Sequence, residues 1–288
     1  MKTQEQIVNT KIEYFVHCLE IVFRALFGNT EQKENILSLY NALNGTDYTN
    51  ADDLFIKTID DVIYMGMKND VSFLIDCYLS LYEHQSTLNP NMPLRGLMYF
   101  GKMYSRYVTE KDFNIYSSKQ IKIPTPQYYV FYNGDTNAPD RKVLYLSDAF
   151  EAPVKNGNYE WTATMLNINY GHNHQLMEKC TILKEYSIFV ARVKTEVKGS
   201  HDLRSAIEKA IDSCIADGIL ADFLKARKAE VIEMCITEYN EKEAQDMLKK
   251  ETWKECLESV AQKMKEDDRP VSEIEKYTGL DPQTIARL

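Results

Sequence analysis

The stretch from Asn69 to Ser86 constrains the fold more than any other part of the chain. Aliphatic, β-branched and aromatic side chains dominate on both sides of Asp76-Cys77-Tyr78, which predicts two strands joined by a tight turn. With Cys77 and Tyr78 as the loop, Asp76 lies opposite Leu79, Ser72 opposite Glu83 and Asp70 opposite Gln85. Facing residues of a hairpin share a face, and so do residues two apart along a strand. Asp70, Ser72, Glu83 and Gln85 therefore converge on one side. Any even loop length keeps that arrangement, whereas an odd one sends Asp70 and Glu83 to opposite faces.

Carboxylates gathered in this way repel each other unless a cation lies between them, and hard oxygen donors suit Mg²⁺ or Mn²⁺. A strand acid also occurs simply as a turn residue or on a solvated face, so the local pattern leaves both readings open.

An acid opening one strand, followed by a second strand bearing Glu83-His84-Gln85, resembles the core of the PD-(D/E)xK nuclease superfamily. The longer words Asp61-Val62-Ile63-Tyr64-Met65-Gly66, Tyr82-Glu83-His84-Gln85-Ser86-Thr87, Pro93-Leu94-Arg95-Gly96 and Pro124-Thr125-Pro126-Gln127-Tyr128 resemble its bacterial recombination-promoting nuclease and transposase branch. That resemblance implies an α/β fold, a restriction-endonuclease-like mixed sheet flanked by helices, over residues 1–198. It further implies a Mg²⁺- or Mn²⁺-dependent DNA endonuclease. Asp70 and Glu83 would hold the metal, polarising the scissile phosphate and activating a water, with Asp70, Glu83 and Gln85 as the catalytic set. Gln85 stands where the superfamily usually has Lys. A carboxamide can orient water or phosphate but carries no charge and cannot act as an acid. His84 falls on the opposite strand face and is expected to be structural, and Asp76 is too far along the hairpin to ligate.

Before this core, a helix is expected from about Gln4 to Phe27, with Tyr14, Phe15, Cys18, Leu19, Val22, Phe23, Leu26 and Phe27 as its apolar stripe and Gly28-Asn29 as its stop. Glu20 is the misfit on that stripe and needs a partner. Arg24 offers one at the favourable i,i+4 spacing. The family resemblance offers another, because an acid before a Phe-Arg and Phe-Gly word there adds to the metal site. A second helix spans Glu31 to about Leu43, and a strand is expected around Leu54 to Tyr64, interrupted at Asp60 and Asp61.

After the hairpin, a helix from Pro93 to Val108 is expected to turn Leu94, Leu97, Met98, Tyr104 and Tyr107 to the core, with Arg95 off that stripe. Tyr128 to Tyr132 then reads as a buried strand ended by Asn133-Gly134. The intervening helix makes this strand parallel to its predecessor if both share a sheet. Arg95, Lys102, Arg106, Lys111, Lys119 and Lys122 face only Glu110 and Asp112 over the same span. That local excess is either a solvated helix face or a phosphate-contacting surface, with Arg95, Lys102 and Arg106 as the nucleic-acid candidates. A net charge of -9 argues against non-specific DNA binding by the whole surface.

Residues Asn137 to Asn158 read as a loop-rich insertion with an edge strand at Leu144-Tyr145-Leu146. Then come a strand from Glu160 to Asn169, a helix from Asn173 to Lys194, and helices at Asp202 to Asp217 and Ile219 to Arg227. A helical extension, 199–268, ends in a charged helix from Glu230 to Lys265 whose apolar side suits packing against the domain or a second subunit. In the tail, 269–288, Ser272 and Glu275 suggest a capping box and Thr278-Gly279 a stop before a short helix opened by Asp281-Pro282. This resembles half of a helix-turn-helix, open to packing, self-association or base reading.

The six cysteines are scattered without zinc-like spacing, consistent with reduced thiols in a cytoplasmic protein. No apolar run approaches the length of a membrane span, and the N-terminus lacks the pattern of a signal peptide. Three functions stay open: the metal-dependent DNA endonuclease, a catalytically silent nuclease-fold module that binds DNA or protein, and a homo-oligomer assembled through its C-terminal helices.

Overall fold

The computed structural model describes residues 20–28, 32–56, 71–153, 159–200 and 202–287, with the backbone alone over 237–251 and at 255. Asp60, Asp61, Asp70 and most of the first expected helix lie outside them. The chain divides into two compact units, residues 1–236 and 237–288.

The first unit is α/β and is built on a six-stranded mixed sheet ordered β1-β2-β3-β4-β6-β5. The strands are β1 (Phe55–Ile56), β2 (Val71–Ile75), β3 (Tyr78–Gln85), β4 (Thr125–Tyr132), β5 (Arg141–Tyr145) and β6 (Thr162–Asn167). β2 and β3 form the expected antiparallel hairpin, β3, β4 and β6 run parallel, and β5 is an antiparallel edge. The β3–β4 link carries α3 (Met92–Glu110), the crossover helix that parallel pairing requires.

The hairpin register differs from the sequence expectation. Ile75 pairs with Tyr78, Leu74 with Leu79 and Ser72 with Leu81, so the loop is Asp76-Cys77. Asp76 adopts φ 49, a left-handed conformation that a short polar side chain tolerates, which leaves Tyr78 free to start the strand. The loop is still two residues long, so the even parity holds while Ser72 faces Leu81 rather than Glu83.

One sheet face, carrying Leu79, Leu81, Tyr128, Val130, Ala163 and Met165, packs against Met92, Tyr99, Phe100 and Met103 of α3. Here too the structure corrects the expected phase: Leu94, Leu97 and Met98 are exposed, and the buried stripe is Met92, Pro93, Gly96, Tyr99, Phe100 and Met103. Gly96 explains the rotation. A Cβ there would lie 2.3 Å from Tyr128 Cε1 and 3.2 Å from Trp161 Nε1, so the helix presents its bare backbone to the sheet.

The opposite face is aromatic. Phe23, on a helix described over 20–27 (α1), stacks at centroid distances of 5.1 Å on His84, 5.2 Å on Phe131 and 5.6 Å on Tyr186. Tyr40 of α2 (Lys33–Asn44) meets Phe73 edge-on at 6.0 Å. α2 ends at Gly45, in the left-handed conformation with its N–H on the Asn41 carbonyl. Tyr186 belongs to α5 (Thr181–Gly199), which a separate short helix α4 (His174–Lys179) precedes where one helix was expected. The break at Cys180 has extended backbone, φ -127 and ψ 90. Just before it, Asp140 accepts from the Asn173 backbone and sits 2.6 Å from His172 Nδ1, and these hydrogen bonds hold its carboxyl below the usual range. α6 (Leu203–Ala216) is capped by Asp202, whose side chain accepts from the Arg204 and Ser205 N–H groups.

Helical residues continue through α7 (Ala221–Glu266), with non-helical backbone at Arg227, where the sequence places a helix end. In the second unit, α8 (Val271–Thr278) and α9 (Pro282–Arg287) gather Ile274 and Ile285 around Ala261, and Lys265 donates to the Ile285 carbonyl at 3.1 Å. Gly279 ends α8 as expected, whereas Ser272 does not cap it: the N-cap position is Pro270 and no side chain caps there. Trp253 and Val260 are exposed rather than packed. All cysteines among the described residues are free thiols, and no described helix is long and apolar enough to cross a membrane.

Candidate functional site

Ligands of open α/β sheets gather beyond the carboxyl ends of the parallel strands. In this chain that edge is formed by Glu83 to Ser86, Tyr132 to Asp135 and Asn167 to Asn169. Strand alternation puts Glu83 on the α3 face with Leu81 and Gln85, and the odd-numbered step sends His84 to the aromatic face. His84 is fully buried, with Nε2 3.0 Å from the Tyr186 hydroxyl, consistent with the structural role expected for it.

Glu83 is 1% exposed. A carboxylate so buried needs compensation, and Arg95 provides it: its Nη2 donates to Glu83 Oε2 at 3.0 Å. The same guanidinium donates to the Tyr99 hydroxyl at 3.3 Å, reaches Met92 Sδ at 3.5 Å and lies 5.9 Å from the Tyr99 ring centroid. Burial disfavours its charge, but the Glu83 carboxylate and the Tyr99 hydroxyl outweigh that and raise the Arg95 pKa. Arg95, Tyr99, Lys102 and Arg106 follow one another at i, i+4, i+7 and i+11, on one stripe of α3. Lys102 is half-buried, and exposed Arg106 pairs with Glu110 at 2.8 Å.

Gln85 closes β3 level with Tyr132, and its carbonyl accepts the Asn133 N–H at 3.1 Å. The following loop is clamped from the other side of the sheet. Lys194 of α5 donates to the Asn133 carbonyl at 2.5 Å and to Asp135 Oδ1 at 2.9 Å, and Asn169 Nδ2 donates to the Gly134 carbonyl at 3.0 Å. Gly134 is obligatory, since a Cβ there would sit 2.0 Å from the Ser86 carbonyl oxygen. Burial pulls the Lys194 ammonium pKa down, and Asp135 opposes that pull. The Asn133 carboxamide is 1% exposed and has no hydrogen-bond partner among the described residues.

Among the predicted site residues, the structure brings Glu83 and Arg95 into contact and sets Gln85 two residues further along the same face. Asp70 lies outside the described residues. Glu20 is half-buried on α1, a helix whose Phe23 packs on the face opposite Glu83. The described residues contain no group of three His, Cys, Asp or Glu side chains that could hold a metal ion. Glu83 and Gln85 are oxygen donors of the class that Mg²⁺ takes, but one carboxylate already neutralised by Arg95 is too little anionic charge for a divalent site. The described residues by themselves do not fit the ion.

Sequence reading missed Lys194, Asn133 and Tyr99 as parts of this edge. Tyr99 was accessible through its i+4 spacing from Arg95, whereas Lys194 lies more than a hundred residues from Gln85 and nothing local marks it. No family model matches the chain, and neither a curated protein nor a solved structure matches it.

Proposed function

We propose that this chain is a metal-dependent DNA endonuclease of the PD-(D/E)xK type, similar to recombination-promoting nucleases. The observation that carries the reading is Glu83: a carboxylate buried near the end of a central strand, two residues before Gln85, beside an arginine at the head of the crossover helix. A buried ion pair is often no better for stability than apolar packing, so stability alone does not account for an acid at that depth. Asp70 is the second acid of the proposal and Glu20 the third, with Mg²⁺ or Mn²⁺ as the ion. When bound, the ion supplies charge for the scissile phosphate and an acidified water. From its own residues the chain supplies Arg95, Lys102 and Arg106 along one helical stripe for phosphate contacts, and the Gln85 carboxamide to orient water or phosphate.

The Glu83–Arg95 pair also favours a second reading, a catalytically silent nuclease-fold module that binds DNA or protein. An acid neutralised by a guanidinium has no need of a metal, and Gln85 lacks the charge of the usual lysine.

Nicking of supercoiled plasmid in Mg²⁺ or Mn²⁺ separates the two. The endonuclease reading expects activity in the wild type and its loss in Asp70→Ala and Glu83→Ala. Equal nicking by all three proteins marks a contaminant and rejects the site, and no nicking by the wild type favours the silent module.

A further inference from the structure

On the sheet face opposite Glu83 and Arg95, a cleft lies between the end of α2, the short helix α4 and the start of β5. Leu43, Leu166 and Leu176 give it apolar walls, and Arg141, Gln175 and Lys179 are among its polar lining. Arg141 opens β5 opposite Leu166, and Lys179 is the last residue of α4. Neither cation has an ion pair among the described residues. That is unlike Arg192, Arg204, Lys209 and Lys228 on α5 to α7, each of which holds a carboxylate. The chain has 43 acidic against 34 basic residues, so a shortage of acids does not explain the difference. Asp140, next to Arg141, is committed elsewhere: His172 Nδ1 lies 2.6 Å from its Oδ1, and the Asn173 N–H donates to its Oδ2 at 3.1 Å. The Asn173 side chain donates to the Asp140 and Asn167 carbonyls, which ties the start of β5 to the head of α4. It does so from the left-handed conformation, φ 46, a strain kept where it fixes the backbone that carries Arg141.

We propose that this cleft binds a phosphate group, with Arg141 and Lys179 as its cationic ligands and the Gln175 carboxamide as a neutral donor. Two cations match a phosphate, whose two or more charged oxygens accept a guanidinium fork and an ammonium together, whereas a monocarboxylate leaves one of them unmatched. The apolar walls keep water from the contact and so strengthen it. Farther along the same sheet face, Tyr129, Thr162 and Thr164 line a second hollow, so the organic part of a phosphate ester has a ring and hydroxyls to lie against. The site needs no metal ion and does not depend on the endonuclease reading. Small phosphomonoesters and a nucleic-acid backbone both present this group, and the experiment separates them.

Calorimetric titrations at low salt, in EDTA, follow inorganic phosphate, thymidine monophosphate and a short single-stranded DNA on the full-length protein. The wild type is compared with Arg141→Gln, Lys179→Gln and the control Lys142→Gln, whose side chain strand alternation sets on the other face of β5. All three side chains are exposed, so the substitutions leave the fold intact. Arg141→Gln and Lys179→Gln are each expected to weaken thymidine monophosphate about tenfold, the loss of one charge-assisted hydrogen bond, with Lys142→Gln unchanged. DNA weakened by the same two variants assigns the cleft to a backbone phosphate as well. DNA indifferent to them, with the monophosphate weakened, assigns it to small phosphomonoesters. Absence of binding by all three probes, affinities indifferent to both variants, or equal weakening by Lys142→Gln overturns the site. Nicking is not read here, so that failure leaves the endonuclease reading standing.

Discussion

Gly96 of α3 lies against the ring of Tyr128 so closely that a methyl group at position 96 would stand 2.3 Å from Cε1 and 2.5 Å from Cδ1. The ring lies on the side of β4 that faces α3 and belongs to the same buried cluster as Phe100 and Met103, against which the partly buried Trp161 packs. Gly96→Ala must therefore push the helix off the sheet or turn the tyrosine. Overpacking of this kind costs about 1 to 3 kcal/mol, against the small gain that alanine normally brings to a helix interior. Urea unfolding is expected to show the loss, and near-UV circular dichroism a change in the tyrosine and tryptophan bands. An unchanged midpoint would show that the helix tolerates the shift. The control is Gly101→Ala, where nothing lies within 4 Å and the substitution is expected to be neutral or stabilising.

That glycine also explains why the helix was legible in the sequence and its face was not. Leu94, Leu97 and Met98 form the more conspicuous apolar group, yet they are exposed, because contact is made where the backbone can come nearest. Hydrophobic periodicity counts side chains and is blind to a contact made by the lack of one. Strand order within the hairpin, the parallel β3–β4 pair, the edge strand near Leu144 and the end at Gly279 were all readable, since each depends on local alternation or a turn residue. The hairpin turn lies one position earlier than expected from the sequence, at Asp76-Cys77 with Asp76 at positive φ, which moves the cross-strand partner of Ser72 by two residues and keeps the faces.

The ion pair between Glu83 and Arg95 makes an asymmetric prediction. Arg95→Met leaves a buried carboxylate without its guanidinium and is expected to cost about 3 kcal/mol. Glu83→Gln leaves a partly exposed guanidinium that water can reach, and is expected to cost about 1 kcal/mol. The double variant Glu83→Gln/Arg95→Met should be more stable than Arg95→Met alone, since the offending charge is gone. A double-mutant cycle by urea denaturation measures all three. Simple additivity of the two single losses would show that the contact contributes nothing of its own.

Glu83 and Gln85 were legible because strand alternation assigns a face from residue number alone, and Arg95 because it stands at a helix head. Lys194 was not, and the reason is distance along the chain: it reaches the end of β4 from α5 on the aromatic side of the sheet. Its ammonium has three acceptors, the Asn133 carbonyl, Asp135 Oδ1 and, at 3.4 Å, Asn169 Oδ1. Lys194→Met keeps the stem but strands those acceptors, at about 2 kcal/mol. Asp135→Asn is expected to cost under about 1 kcal/mol, because that carboxylate is 47% exposed and its ion pair is screened. Chemical denaturation of the two variants checks the order. If Asp135→Asn proves the costlier, the ion pair rather than the carbonyl contact holds this loop.

Alkaline stability offers the last prediction, and its sign follows from the tyrosines. Burial pushes the Tyr104 phenol up to about 12, where its hydroxyl donates to the Pro124 carbonyl at 2.7 Å, and burial raises Tyr82 and Tyr40 as well. In the unfolded chain a tyrosine loses its proton near pH 10. Between pH 10 and about 12 the unfolded state therefore binds fewer protons than the folded one, and stability falls as pH rises. Below pH 10 the phenol is neutral in both states and contributes no slope. Tyr104→Phe removes one ionising group and should make the decline from pH 10 to 12 shallower. The same variant loses a hydrogen bond, at about 1 kcal/mol, at neutral pH. Thermal midpoints of both proteins at pH 8, 10 and 11 test the pair of effects together, and the difference between wild type and Tyr104→Phe should shrink as pH rises. A constant difference would show that Tyr104 titrates alike in the folded and unfolded chain.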